Sequence, residues 1–185
     1  MNKFLFFIKR PPVILAVGSF RSEILDRKKV LIFKSDIEEL ENFKFFLKWS
    51  KKPILTIESL KDEKEVLQIE KMAKILSTRG YLLLNFDDDR ARELKELSRC
   101  LTYGFFKKAD LQATDLNIDS EGANFKINYQ GSIVPFWIES IFEKKQVYGF
   151  LAAIAAGIIL GLNLVEMSQE IRRPSSLNKI KNPTN

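Results

Sequence analysis

Short apolar runs alternate with longer helical patterns between residues 12 and 103. A run of this kind is typical of a strand that is buried on both faces, and strands that alternate with helices build parallel β-α units. The predicted strands are 12–17, 29–33, 53–57, 81–85 and 100–103, and the predicted helices are 36–49, 62–77 and 88–98. The spacing therefore predicts an α/β fold with a mostly parallel sheet flanked by helices.

The pattern changes after Gly104 to three short alternating segments, 111–116, 123–129 and 132–137. Turn sequences separate them, which predicts antiparallel hairpins that form a small β flap on the main sheet. Two helices are predicted to follow, one from about residue 146 and a shorter one over 165–171. We expect a basic segment at 1–10, one α/β domain at 11–172 and a disordered basic tail at 173–185.

The formal charge of +6 comes from the two ends of the chain. Residues 1–10 and 172–185 carry seven cations and no acid, and without them 23 basic residues stand against 24 acidic ones. A basic groove for nucleic acid is therefore not expected, although the ends leave room for attraction to a membrane surface or a polyanion.

The chain contains no histidine and a single cysteine, Cys100. The first fact excludes Ser-His-Asp triads, histidine acid-base catalysis and histidine-ligated metals. The second excludes an intramolecular disulfide and favours a reducing, cytoplasmic location. We interpret Cys100 as a packed thiol on a buried strand, because no histidine is present to activate it.

Residues 147–165 carry no charge, and their length permits a membrane span. Glycine and alanine make up much of this stretch, so a helix buried between the sheet and its neighbours is the favoured interpretation. The apolar run at 4–8 is too short for a signal peptide.

The run at 81–89 ends in Asn85 and three consecutive aspartates, Asp87, Asp88 and Asp89. The carboxyl edge of a parallel sheet is where such folds bind ligands, so the cluster suggests either a magnesium site or a nucleotide site. The structural alternative, which we favour, is that one aspartate caps the following helix while the others face its positive end. Asn85 is likewise expected to satisfy backbone groups in the turn.

The order of these elements resembles the central, ATP-binding domain of the Mur ligases, which add amino acids or dipeptides to the cell-wall precursor. Residues 80–88 are similar to the family pattern Gly-x-x-x-Leu-Asn-x-Asp-Asp. Residues 101–104, Ala109-Asp110 and the helix 147–157, followed by 160–162 and Glu166, are similar to later family motifs. The resemblance covers about residues 29–172 and is nearest to the branch that adds D-alanyl-D-alanine.

The phosphate loop departs from the family pattern. The resemblance implies Thr-Gly-Ser/Thr-x-Gly-Lys-Thr/Ser, in which backbone amides and a lysine hold ATP and a hydroxyl ligates magnesium. This chain has Gly18-Ser19-Phe20-Arg21-Ser22-Glu23 instead. The second glycine, the lysine and the threonine are absent, and Arg21 is the available substitute cation. The stretch between Ser22 and Pro53 is also shorter than in the family, which implies loss of an acidic magnesium ligand.

The resemblance marks Gly18, Ser19, Asn85 and Asp88 as candidate cofactor-binding residues, with ATP and Mg²⁺ as the implied cofactors. It marks Lys71 as the candidate for the family's carbamoylated lysine, although a solvated helix lysine is the favoured interpretation. We expect no metal site. The family's UDP-binding and amino-acid-binding domains are not expected in this chain.

Three functional hypotheses follow. The first is a degenerate Mur ligase central domain, a pseudoenzyme without ligase activity of its own, that binds a cell-wall biosynthesis enzyme. The second is an ATP-dependent amide ligase that acts with separately encoded domains. The third is a small membrane-anchored protein that spans the bilayer at 147–165.

Overall fold

A computed structural model describes residues 3–26, 28–76 and 79–171. The predicted disordered tail at 173–185, residues 1 and 2 of the predicted basic segment and the end of the predicted helix at Ser77 lie outside the described residues. The rest of the predicted basic segment forms a short helix that packs on the domain through the fully buried Phe6.

Eight strands in the described part of the chain form one sheet, which confirms the predicted mostly parallel α/β fold. They are Val13–Val17 (β1), Leu31–Lys34 (β2), Pro53–Ile57 (β3), Tyr81–Asn85 (β4), Cys100–Gly104 (β5), Leu111–Ile118 (β6), Gly122–Tyr129 (β7) and Ser132–Glu139 (β8). The order across the sheet is β2-β1-β3-β4-β5-β6-β7-β8, parallel through β6 and antiparallel for β7 and β8.

The last three strands extend the main sheet, and the antiparallel pairing of β6, β7 and β8 agrees with the predicted addition of antiparallel strands to that sheet. β6 joins β5 through two residue pairs, Tyr103 with Leu111 and Gly104 with Gln112. Because β6 begins where β5 ends, it reaches beyond the carboxyl edge of the parallel strands. The antiparallel part of the sheet therefore forms a wall beside that edge.

Within the described residues, six α-helices flank the sheet: Lys3–Lys9 (α1), Lys44–Trp49 (α2), Glu63–Ala73 (α3), Asp89–Glu93 (α4), Lys144–Ile159 (α5) and Leu164–Ile171 (α6). α5 and α6 pack on one face, and α1 to α4 pack on the other. β1 shows why both faces are covered: Val13, Leu15 and Val17 enter one cluster while Ile14 and Ala16 enter the other.

Two predicted helices are interrupted by tighter turns. The region predicted as helix 36–49 is 3-10 over Ile37–Phe43 before α2 begins, and 88–98 is α4 followed by a 3-10 turn over Leu94–Leu97. Ile37 and Leu40 are both buried and three residues apart, a spacing that a 3-10 turn brings onto one line. The apolar spacing alone did not distinguish the two helix types.

The uncharged segment 147–165 is divided between two helices. α5 is buried from Gly149 through Gly157, as expected for a helix enclosed by the fold, and it ends at Ile159, two residues before Gly161, which has a φ of 78°. Asn163 then accepts the Val165 amide at 2.8 Å at the start of α6. Among the described residues, no helix is long and apolar enough to cross a membrane.

Candidate functional site

The carboxyl ends of β1, β3, β4 and β5 meet at one edge of the sheet, where the first turns of α5 approach them. Gly18 and Ser19 follow β1, Glu58 follows β3, Asp87 comes two residues after the end of β4, and Gly104 ends β5. This is the edge at which open parallel sheets bind ligands.

The loop after β1 holds an acid from the neighbouring strand. The backbone amide and the hydroxyl of Ser19 both donate to Oε2 of Glu58, and the hydroxyl lies 2.5 Å from it. Gly18 has a φ of 98°, and a Cβ there would lie 2.6 Å from Cβ of Glu58. Glu58 is 8% exposed. The loop therefore binds a carboxylate of its own chain with the kind of donors that hold phosphate in a phosphate loop.

α5 closes this loop from above. The Arg21 amide donates to the Gly149 carbonyl at 3.1 Å, and a Cβ at Gly149 would lie 3.2 Å from Ser19. The Arg21 guanidinium lies over the Phe150 ring at 5.2 Å and 3.7 Å from Glu23. The residue predicted as the substitute phosphate cation therefore has an aromatic and an acidic neighbour.

A second carboxylate, Asp87, lies further along the edge. It accepts the amides of Phe105 at 2.9 Å and Phe106 at 2.7 Å, and the Tyr148 hydroxyl at 2.7 Å. Gly104 makes room for it, because a Cβ there would lie 2.7 Å from Oδ1 of Asp87. Burial and the hydrogen bond to Asp87 raise the pKa of Tyr148, so this hydroxyl acts as a donor at neutral pH.

The other residues of the aspartate cluster have structural partners. Asn85 is 5% exposed and accepts the Asp87 amide at 3.1 Å, while Asp88 caps α4 by accepting the Ala91 amide at 2.8 Å. Asp89 pairs with Arg92 at 3.0 Å. These contacts agree with the predicted capping role of one aspartate and the predicted turn role of Asn85, whereas Asp87, expected to face the positive end of the helix, accepts the amides after β5 instead. In the described part of the chain, no group of three or more acidic or cysteine side chains could hold a metal ion.

Tyr103 on β5 lies beneath this edge. It is fully buried, and its hydroxyl donates to the Ile57 carbonyl at 3.2 Å, one residue before Glu58. Burial raises the pKa of this hydroxyl far above its ordinary value. The Tyr103 side chain therefore links the end of β3 to β5 and fixes the backbone immediately before Glu58.

The structure brings together two of the four candidate cofactor residues, Gly18 and Ser19. Asn85 and Asp88 lie two strands away and serve the turn before α4. Lys71 is exposed in the last turn of α3, on the face of the sheet opposite α5, so the structure does not bring it to Ser19 and Glu58. The proposed roles of these residues in cofactor binding and catalysis stay predictions.

Sequence reasoning missed Glu58, Asp87 as an acceptor, and Tyr148. Glu58 directly follows a predicted buried strand, so its position at the carboxyl edge was available from the sequence. The contact between Tyr148 and Asp87 joins residues 61 positions apart, and no local pattern reports it.

An open groove of about 700 Å³ lies on β6, β7 and β8, with Asn124, Pro135 and Trp137 among its lining residues. The ion pair between Lys126 and Asp115, 2.8 Å long, is also part of this groove. None of the carboxyl-edge residues lines it, so the two features are separate.

No protein-family model matches the chain. The UDP-N-acetylmuramate–L-alanine ligase of Alkaliphilus metalliredigens is 28% identical over 113 residues, which are 60% of this chain and 25% of that protein. The UDP-N-acetylmuramoyl-L-alanyl-D-glutamate–2,6-diaminopimelate ligase 2 of Clostridium acetobutylicum is 32% identical over 138 residues, 70% of this chain and 26% of that protein. The chain thus spans about a quarter of the length of these curated relatives.

Solved structures share the fold. The UDP-N-acetylmuramoylalanyl-D-glutamyl-2,6-diaminopimelate–D-alanyl-D-alanyl ligase of Acinetobacter baumannii superposes with a TM-score of 0.74 at 12% identity, over 94% of this chain and 48% of that one. The MurF ligase of Thermotoga maritima in complex with ADP gives a TM-score of 0.71 at 11% identity, over 90% of this chain and 50% of that one.

Sequence and fold together relate this chain to the Mur ligases, which confirms the resemblance. The sequence matches are to ligases for L-alanine and diaminopimelate, whereas these structural matches include the ligase for D-alanyl-D-alanine. The predicted nearest branch therefore stays a prediction.

Proposed function

We propose that this chain is a Mur-ligase-like domain that serves peptidoglycan precursor synthesis in the cytoplasm as a binding or regulatory partner, without ligase activity of its own. The domain is proposed to comprise residues 11–172. The observation that carries the proposal is the contact between Ser19 and Glu58, because it occupies the loop on which ATP binding would depend.

The donors of this loop do not fit an ATP phosphate. The Ser19 amide and hydroxyl already serve Glu58, and a phosphate would have to displace a carboxylate that also repels it. Hydrogen bonds to a charged group contribute about 1.5–3 kcal/mol each, so releasing two of them would weaken phosphate binding by at least about a hundredfold. The loop also has no lysine to offset this cost.

One observation favours the second function, an ATP-dependent amide ligase that acts with separately encoded domains. The Ser19 hydroxyl and the Glu58 carboxylate are hard oxygen groups within 2.5 Å of each other. Magnesium prefers such ligands and completes its octahedral coordination with phosphate oxygens and water. If the second function holds, these two residues would face the metal side of a magnesium nucleotide.

Calorimetry with ATP and ADP, each with and without Mg²⁺, distinguishes the two functions. The first predicts no binding heat at millimolar nucleotide for the unaltered chain. The second predicts Mg²⁺-dependent binding that both Ser19→Ala and Glu58→Gln abolish and that Glu63→Gln, at the start of α3, leaves unchanged. Magnesium-dependent binding with that pattern would overturn the first proposal.

The partner role needs its own experiment. The full chain, immobilised through a tag, should retain a Mur ligase or another peptidoglycan precursor enzyme from a lysate of its source cells. The comparison is a variant in which Ala153→Glu unfolds α5. Repeated failure to recover any cell-wall enzyme, with folded protein on the resin, would contradict the partner role.

A further inference from the structure

Basic residues mark the amino edge of the sheet, opposite the candidate site. Each of the first five strands, β1 to β5, has Lys or Arg among the three residues before it, and none of these triplets contains Asp or Glu. The triplets are 10–12, 28–30, 50–52, 78–80 and 97–99. Because these strands are parallel, the residues before them lie at the same edge of the sheet, and the basic residues are therefore concentrated at one end of the domain.

Contacts place α1 and the end of α2 at this same edge. The Lys51 amide donates to the Arg10 carbonyl at 3.3 Å, and the Ser50 hydroxyl donates to the Pro11 carbonyl at 2.8 Å. Lys52 donates to the Ile159 carbonyl at the last turn of α5. Residues 3–10 and 48–52, together with the described residues of the five triplets (10–12, 28–30, 50–52, 79–80 and 97–99), are called the basic pole below.

The basic pole also exposes apolar side chains. Leu5 is 46% exposed, Phe7 41% and Ile8 65%. Leu5 and Ile8 are three residues apart on α1, so they share a face, and Phe6 faces the core instead. No acid occurs in 1–22 or in 42–57, the stretches that carry α1 and the end of α2.

An anionic lipid surface has the matching chemistry. Interfacial segments place aliphatic and aromatic side chains into the headgroup boundary while Lys and Arg face anionic lipids. Nucleic acid would take the cations but offers no partner for exposed Leu5 and Ile8. Aromatic stacking on bases is also disfavoured, because Phe7 already contacts Trp49 edge to face at 5.0 Å and the Arg10 guanidinium at 4.8 Å.

The opposite edge carries charges of both signs. Acids follow three of the parallel strands at their carboxyl ends, namely Asp36 and Glu38 after β2, Glu58 after β3, and Asp87 to Asp89 after β4, whereas Lys107 and Lys108 follow β5. An anionic membrane would therefore attract the basic pole more strongly than this edge. The candidate site would then face the solution.

We infer that the basic pole docks this domain peripherally on an anionic membrane, with Leu5, Phe7 and Ile8 entering the headgroup region and the Lys and Arg side chains contacting lipid phosphates. This goes beyond the proposed function and does not depend on it. No transmembrane helix is involved. A domain that neither binds ATP nor acts on peptidoglycan precursors could dock in the same way.

Co-sedimentation of the full chain with vesicles tests the inference. Vesicles of phosphatidylcholine with 30% phosphatidylglycerol, at about 50 mM salt, should bind the chain, and vesicles of pure phosphatidylcholine should not. Each Lys or Arg near such a surface contributes about a fivefold factor, so Lys48→Gln with Lys51→Gln should lower the partition coefficient about twenty-fivefold. Leu5→Ser with Ile8→Ser should lower it at least about tenfold.

Two pairs of control substitutions test whether vesicle binding depends on the basic pole or on charged and apolar side chains anywhere on the domain. Lys107→Gln with Lys108→Gln removes two exposed cations at the opposite edge, and Leu67→Ser with Ile133→Ser removes two exposed apolar side chains elsewhere. These controls should bind within about twofold of the unaltered chain. All substituted residues are exposed, so circular dichroism should show native folding throughout.

Four outcomes would overturn the inference. The chain fails to bind the anionic vesicles, or the control pairs weaken binding as much as the pole pairs. Alternatively, the chain binds a DNA duplex in preference to the vesicles, with no effect of Leu5→Ser and Ile8→Ser. Finally, light scattering could show a dimer that these two substitutions dissociate, in which case a second copy covers the pole.

Discussion

The hydrogen bond between the Ser19 hydroxyl and Glu58 gives the sharpest test of how the phosphate loop is built. Ser19→Ala removes one donor to the carboxylate and keeps the backbone amide, while Glu58→Gln removes the charge. A hydrogen bond to a charged group contributes about 1.5–3 kcal/mol when buried. Ser19 is exposed and water replaces part of the lost interaction, so we expect a coupling energy of about 1–1.5 kcal/mol.

Urea unfolding at 25 °C and pH 7 measures this coupling through the two single variants and the double variant. With an m value of about 2 kcal/mol/M, the expected coupling corresponds to a difference of about 0.5–0.7 M in the unfolding midpoint. Ser35→Ala is the control, since its hydroxyl donates to the Asp36 carbonyl in an exposed turn. Its effect should add to that of Glu58→Gln with no coupling.

A coupling below about 0.3 kcal/mol would refute the reasoning, because double-mutant cycles of independent sites deviate from additivity by about that much. The Ser19 hydroxyl would then not be held by Glu58 in solution. The loop would be free to present its donors to an external anion, and the argument against phosphate binding would lose its main support.

Three other predictions follow from single positions. Gly18→Ala should destabilise the chain by more than about 2 kcal/mol, because the new side chain combines a positive φ with a Cβ 2.6 Å from Glu58. Gly131→Ala has a φ of 81° but open space around its Cβ, so it should cost about 1 kcal/mol in the same urea assay. Equal effects of the two substitutions would contradict this. Burial raises the pKa of Tyr103, so the unfolded chain ionises first as pH rises above about 10. Between pH 9 and 11 the unfolding free energy should therefore fall by about 1.4 kcal/mol more in the unaltered chain than in Tyr103→Phe, with most of the difference above pH 10, and parallel profiles would refute this. Burial, with a smaller contribution from Asp110, raises the pKa of the Cys100 thiol to about 12. A disulfide reagent at pH 8 should therefore label Cys100 at least tenfold more slowly than it labels a cysteine peptide. Equal labelling rates would contradict the raised pKa.

Much of the fold could be predicted because its signals are local. Runs such as 53–57 and 81–85 are buried on both faces, and that burial leaves a continuous apolar stretch in the sequence. The path of 147–165 was harder, since length and composition allow both a buried helix and a span. In the structure, Gly161 follows the end of α5 and Asn163 precedes α6, so the segment 147–165 is divided between two helices and is not one continuous helix.

The site could be predicted less well, because its contacts join distant parts of the chain. Gly18 and Ser19 were located from the sequence, but their partner Glu58 lies 39 residues beyond Ser19. The sequence instead indicated Glu23, which lies in the same loop, as the acid that would repel phosphate. Glu23 is exposed and pairs with Arg21, whereas Glu58 contacts the loop itself.

The residues that carry the resemblance to Mur ligases each have a structural task in this chain. Asn85 holds the turn, Asp87 accepts two amides from the segment after β5, and Gly104 leaves the space that Asp87 fills. Tyr148 joins that network to α5. Because losing any one of them would disturb the packing of β4, β5 and α5, their presence is explained by folding alone. A motif of this kind therefore supports the fold and cannot by itself support ATP-dependent chemistry, which must be decided at Ser19 and Glu58.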